Sequence, residues 1–142
     1  NKTYIIVDNQ INLYYMETVK KTPKSLLWTS YILQGFVIIM LLMGAVNNVL
    51  QTETAVKGAV EMGYPSDYVM YLGIILLVST VLYAMPKTMF IGALLVTAWL
   101  GGAVATHVIH KDHMTLTIFP VIFGILVWVS VLIRNKKLRA LL

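Results

Sequence analysis

This sequence predicts an all-α membrane protein. Four transmembrane helices are expected in an up-down-up-down bundle, N-in/C-in, with a short amphipathic helix in the first outer loop. Three observations lead there. Of 142 residues, 58% are hydrophobic and only 12% are charged, about half the roughly 25% that a soluble domain carries. The few charges are also spaced. No Asp, Glu, Lys or Arg falls between Lys24 and Glu53, Asp67 and Lys87, Lys87 and Lys111, or Asp112 and Arg134, leaving gaps of 28, 19, 23 and 21 residues. About 20 apolar residues cross a hydrocarbon core roughly 30 Å thick, and a helix satisfies its own backbone polar groups there. The short alternating segments of a barrel are missing.

The third observation is charge sidedness. Lys2, Lys20, Lys21 and Lys24 precede the first gap, Lys87 lies between the second and third, and Arg134, Lys136, Lys137 and Arg139 follow the fourth. The other two connections hold only Lys57 and Lys111, beside Glu53, Glu61, Asp67 and Asp112. Lys and Arg collect on the cytoplasmic side, so both termini are placed in the cytoplasm. The isoelectric point near 9.5 fits anionic lipid headgroups. Because the basic residues sit directly against the spans, no nucleic-acid partner is expected.

The elements follow in order. Residues 1–24 read as a cytoplasmic arm and 25–142 as the four-helix transmembrane domain. Within the arm, "METVKKTPKSLLW" from Met16 has the form of an ordinary bacterial start, so residues 1–15 are read as an upstream extension or a poorly ordered arm. The spans are placed at about 26–49, 68–85, 89–109 and 116–133. The first apolar run is too long for a cleaved signal and no A-x-A site follows it. In the first loop, Val56, Ala59, Val60 and Gly63 recur at helical spacing opposite Glu53, Lys57 and Glu61. Gly63 is suited to end that helix in the left-handed conformation. Tyr64 and Pro65 complete a corner, after which Ser66 or Asp67 is expected to cap the second span. Pro86 ends that span and Thr88 is expected to cap the third. The short connections make sequential helices antiparallel neighbours.

On the third span, Gly92, Trp99, Ala103, His107 and His110 share a face, with Gly101 and Gly102 beside it. That pattern predicts a close interhelical crossing with the indole filling a recess. Gln34, Thr80, Tyr83 and Thr97 are the remaining polar side chains at depth, expected to bond neighbouring helices.

All three histidines, His107, His110 and His113, fall in one stretch, "GGAVATHVIHKDH". Imidazoles three apart suit a metal, which makes His107 and His110 weak metal candidates. No cysteine or carboxylate pair joins them, so no metal site is assigned. His110 and His113 are read as interfacial. His107 lies about one turn inside Lys111, and an ionisable residue within a span is a functional candidate. Trp99, Tyr64, Asn47 and Asn48 join it as candidate ligand-binding residues. Cysteine is absent, which removes thiolate chemistry from this chain. With no Ser-His-acid pattern and no phosphate loop, no catalytic residue is assigned and the reading leans away from an enzyme.

"GYP", "LYAMPKT", "GALLVTAWLGGAVATH", "IFPVIFGILVWVSVLIR" and "RNKKLRALL" together resemble the DoxX-like family of small bacterial membrane proteins, from about Ser30 to Leu142. Gly63, Pro65, Pro86, Gly101, Gly102 and Pro120 are the structural positions in those motifs. The resemblance implies a four-span bundle and a link to membrane redox systems. From it comes the expectation of an accessory subunit of a quinone-linked system, with no catalytic constellation of its own. The partner would be a membrane oxidoreductase or a second copy, and a quinone or lipid the candidate bound molecule. The alternatives are a stand-alone binder of such an apolar molecule and, third, a quinone-linked oxidoreductase with His107 as acid/base.

Overall fold

The computed structural model describes residues 22–139, all helix and turn, with no strand among them. The reading of residues 1–15, and nearly all of the 1–24 arm, lies outside the described residues. The elements are α1 (Lys24–Val49), α2 (Glu53–Glu61), a 3₁₀ turn (Ser66–Tyr68), α3 (Val69–Ala84), α4 (Met89–Ile109), α5 (Met114–Arg134) and α6 (Lys136–Arg139). Four stretches are long and apolar enough to cross a membrane: Lys24–Val49, Ser66–Ala84, Met89–Ile109 and Met114–Arg134. The last begins two residues earlier than expected and carries Pro120 in its interior. There the proline removes the backbone bond to the carbonyl four residues before it.

α1 packs on α3 and α5, and α4 packs on α3 and α5, closing a four-membered ring. Each helix turns one narrow stripe inward at spacings of three and four. In α1 the stripe is Ser30, Gln34, Val37, Leu41 and Ala45, and in α5 it is Pro120, Phe123, Val127, Ser130 and Val131. The outward side chains are apolar as well: Ile32 is 67% exposed, Ile39 61% and Ile125 57%. Lipid covers such a surface without cost. Association must therefore come from close packing and interhelical hydrogen bonds.

Two glycines set the closest approaches. A Cβ on Gly73 would lie 2.7 Å from both Asn48 Cβ and Val49 N, so α3 rests on the α1 backbone there. A Cβ on Gly92 would overlap the backbone N and Cα of Tyr83, which brings α4 against the last turn of α3. The crossing expected on the third span is thus at Gly92. Gly101 and Gly102, expected beside that face, have nothing within 4 Å of an added Cβ among the described residues and are exposed. The inward stripe of α4 is Met89, Gly92, Ala93, Val96 and Leu100, which leaves those two glycines on its flank.

The polar side chains close what the helix ends leave open. At the end of α3, Met85 N–H donates to Val81 O, Thr88 Oγ1 donates to Leu82 O at 2.8 Å, and Gln34 Nε2 donates across from α1 to Tyr83 O at 2.8 Å. Carbonyls of a last helical turn have no partner in their own helix, and lipid offers none. Thr88, expected to cap α4 by its side chain, caps α3 instead. Thr88 N–H donates to Met85 O at 3.2 Å, which closes a turn with Pro86 at its second position, where a fixed φ suits it. Ser66 and Asp67 make no cap either, because a 3₁₀ turn from Pro65 leads into α3.

The same cluster continues into α5. Arg134 donates through Nη2 to Gln34 Oε1 and lies over the Tyr31 ring, 4.7 Å from its centroid. Tyr83 bonds Ser130 Oγ, and Ser30 Oγ donates to Ser130 O at 2.9 Å. Farther along, Trp128 Nε1 donates to Thr97 Oγ1 at 2.9 Å, joining α5 to α4. Gln34, Tyr83 and Thr97 therefore bond neighbouring helices as expected. Thr80 differs: it turns back on its own helix, to Leu76 O at 2.7 Å.

Three helices end in one motif. After α2, Gly63 N–H bonds Val60 O and Tyr64 N–H bonds Ala59 O, with Gly63 at φ +89°. After α1 and α4 the left-handed residue is Gln51 (φ +48°) and Lys111 (φ +59°), with Thr52 N–H on Asn47 O and Asp112 N–H on His107 O. This is the paired closing pattern that favours glycine. A residue with a Cβ costs about 1–2 kcal/mol there. Lys111→Gly is accordingly expected to stabilise the protein by about 1 kcal/mol. A raised thermal midpoint in mild detergent checks this, and an unchanged or lower one contradicts it.

Candidate functional site

A partly enclosed cavity of about 440 Å³ lies beneath α2. Its roof is Thr54, Ala55, Gly58, Ala59 and Met62, and its walls are Asn48 at the end of α1, Leu72 on α3, Tyr64, and Trp99, Gly102, Ala103, Thr106 and His107 on α4. The inward face of α2 is thus Ala55, Gly58, Ala59 and Met62; Val60, expected on that face, is 49% exposed. Gly102 leaves open space along the α4 wall, which explains a glycine that packs against nothing.

The roof is fastened at both ends. Thr52, the residue that closes α1, also caps α2 through Oγ1. At the other end Thr106 Oγ1 donates to Gly102 O at 2.9 Å. Its single proton being used, it accepts from the Tyr64 hydroxyl at 2.5 Å. Tyr64 therefore lines the cavity with its ring while its hydroxyl ties the corner to α4.

The histidines separate into distinct settings. His113 is the N-cap of α5 and accepts from Thr115 N–H through Nδ1. His107 Nδ1 and His110 Nδ1 each lie 2.7 Å from an oxygen of Asp112, Oδ2 and Oδ1 respectively. Asp112 reaches both because the left-handed Lys111 folds the chain back over the last turn of α4. The side chains of His107 and Asp112 keep 16% and 15% of their exposure. Among the described residues no group of three or more His, Cys, Asp or Glu is placed to hold a metal ion.

Asp112 is held below its ordinary value of 3.8, first by the bond from His107 and next by that from His110. His110 is raised above 6.5, chiefly by hydrogen bonding to Asp112 and then by its charge, with a smaller contribution from Glu61. A raised histidine contributes its stability in full below 6.5 and loses it as pH climbs through the folded value. A lowered aspartate contributes above 3.8 and loses it as pH falls through its folded value. The turn is therefore tightest between these limits. Hydrogen exchange of residues 108–114, corrected for intrinsic rates, should be slower at pH 5.5 than at pH 8. In Asp112→Asn that difference should shrink sharply, leaving only the smaller contribution of Glu61.

Of the five residues that the sequence nominated, His107, Trp99, Tyr64 and Asn48 meet at this cavity. Asn47 does not; it is exposed. Sequence reasoning missed the α2 roof positions, Thr106 and Asp112. Two further grooves, of about 480 Å³ between α4 and α5 and about 510 Å³ along α5, are walled mainly by apolar side chains. Lipid chains can fill such surfaces without specific contacts. The cavity under α2 alone gathers an amide, an indole and an imidazole on apolar walls, the composition typical of a small-molecule site.

Fold and cavity define a helical membrane protein with four candidate spans and an apolar cavity built from one chain. A family model for the DoxX-like family matches residues 32–130. The chain belongs to the DoxX-like family. No curated protein and no solved structure matches it.

Proposed function

We propose that this DoxX-like protein is an accessory subunit of a quinone-linked redox system in the bacterial inner membrane, and that it holds a quinone or lipid in the cavity under α2. The observation that carries the binding part is the cavity itself. Its volume of about 440 Å³ is within the range of small-molecule sites, its walls are apolar, and Asn48, Trp99 and His107 supply polar contacts for one end of an occupant. The redox association rests on the family. The four spans run up-down-up-down with both termini cytoplasmic, so the roof helix lies on the outer face. Lys87 and the basic residues around α5 and α6, set against Glu53, Glu61, Asp67 and Asp112, support that orientation.

Because the chain has no cysteine, single introduced cysteines report sidedness cleanly. Lys57→Cys should react with a membrane-impermeant maleimide in intact spheroplasts and Lys87→Cys should not; the reverse overturns the orientation.

The functional test is purification from native membranes in mild detergent, with the absorbance spectrum, extracted lipids and co-purifying polypeptides recorded. A quinone or lipid near one per chain together with an oxidoreductase polypeptide is the expected result. The bound molecule without a polypeptide favours the second reading, a stand-alone binder, which has in its favour that one chain forms the whole cavity. Neither ligand nor partner overturns both. An oxidoreductase using His107 as acid/base would additionally require turnover that His107→Gln abolishes.

A further inference from the structure

We propose that the polar end of the occupant is an uncharged hydroxyl that donates to His107 Nε2. This rests on the reading of the cavity as a ligand site and specifies its chemistry. Asp112 as a carboxylate can only accept, so the 2.7 Å contact requires His107 Nδ1 to carry a proton and donate it. In the neutral ring that leaves Nε2 as a lone-pair acceptor, and Nε2 has no protein partner among the described residues. His107 lines the cavity and also borders the groove along α5; with Nδ1 engaged by Asp112, the nitrogen left for an occupant is Nε2, an acceptor in the neutral ring.

The rest of the lining narrows the choice. Among the described residues no Lys, Arg, Asp or Glu lines the cavity. A carboxylate, phosphate or ammonium head would have no counter-ion there, and an unpaired charge in an apolar setting is costly. A bare carbonyl would place one acceptor against another at Nε2, so of the quinone couple named above the reduced quinol, with its hydroxyls, is the form that fits. A hydroxyl donates to Nε2 and keeps lone pairs for the Asn48 amide or the Trp99 indole N–H, neither of which bonds to protein among the described residues. A phenol or alcohol on an apolar body meets all three conditions. Asp112 acts as a positioning residue, since its two oxygens hold the Nδ1–H form of His107 while also engaging His110.

The test uses four probes of one shape: 4-octylphenol, its methyl ether, 4-octylacetophenone and 4-octylbenzoate. Binding to the full-length protein in lipid nanodiscs is measured by calorimetry against empty nanodiscs. The phenol should bind about tenfold more tightly than the ether, the scale of one hydrogen bond to a buried acceptor. In His107→Phe the ratio should fall to about one. Asp112→Asn offers one acceptor to two imidazoles and should reduce the phenol-to-ether ratio, an effect that a merely structural role would not produce. Equal binding of phenol and ether to the natural protein overturns the inference and leaves the cavity reading standing. Tighter binding of the ketone or the carboxylate also overturns it. If no probe binds, the cavity reading fails and takes this inference with it.

Discussion

Gly92→Ala should be among the most damaging single-methyl changes in the protein, lowering stability by at least about 2–3 kcal/mol. The new methyl would occupy the position of the Tyr83 backbone, and backbone cannot swing aside as a side chain can. α4 would have to move off the end of α3, opening the turn that Thr88 and Pro86 close. Net stabilities are about 5–15 kcal/mol, so such a loss is a large share of the total. Gly35 provides the control: an added Cβ there meets nothing within 4 Å, and alanine gains helix propensity of up to about 1 kcal/mol. Thermal unfolding in detergent should show a clear fall for Gly92→Ala and no fall for Gly35→Ala. Equal midpoints would contradict the close crossing.

Gln34→Leu is the second large effect, expected to cost about 2–3 kcal/mol. Gln34 is 5% exposed and bonds two elements at once. It donates to an orphan carbonyl of α3 and accepts from the Arg134 guanidinium of α5. The relative magnitudes decide which loss matters. Neutral bonds between membrane helices average about 0.6 kcal/mol, whereas bonds to charged groups are worth about 1.5–3. Leaving Arg134 with only the Tyr31 face therefore dominates, the more so because Arg134 Nε is already buried without a partner among the described residues. Tyr83→Phe, which removes a neutral bond, should cost less than about 1 kcal/mol. The double change Gln34→Leu/Arg134→Met should lose less than the sum of its singles. Additive losses would show that the two side chains are not coupled.

The spans were legible because membrane solvation leaves its mark on charge spacing, which needs no tertiary information. Residues 89–109 of α4 match the expected extent, and the other spans differ at their ends by one or two residues. Gly63 was legible for a similar reason, since a glycine at the left-handed position announces itself. Lys111 and Gln51 adopt the same conformation without glycine, so the fold-back that brings Asp112 to His107 left no mark in "HKDH". Gly101 and Gly102 did not disclose their surroundings, because smallness does not say whether a gap is filled by a helix or left open. The true crossings at Gly73 and Gly92 look no different in sequence. Ser30, Gln34, Tyr83, Ser130 and Arg134 meet only after α1, α3 and α5 assemble, and Arg134 by itself reads as one more basic residue of the tail. The candidate site was half visible: Trp99 and His107 on α4, Asn48 and the Tyr64 corner were nominated, while the roof depended on how α2 lies.

The central claim is that the space under α2 holds a molecule. Gly102→Phe fills that space from the open flank of α4, where an added side chain meets no protein atom within 4 Å at its first carbon. The measurement is quantitative mass spectrometry of lipids and quinones retained by the natural protein and by Gly102→Phe, purified side by side from the same membranes. A species near one per chain in the natural protein, and largely lost from the variant at an unchanged thermal midpoint, is the predicted result. Identical retained content in the two proteins would contradict it.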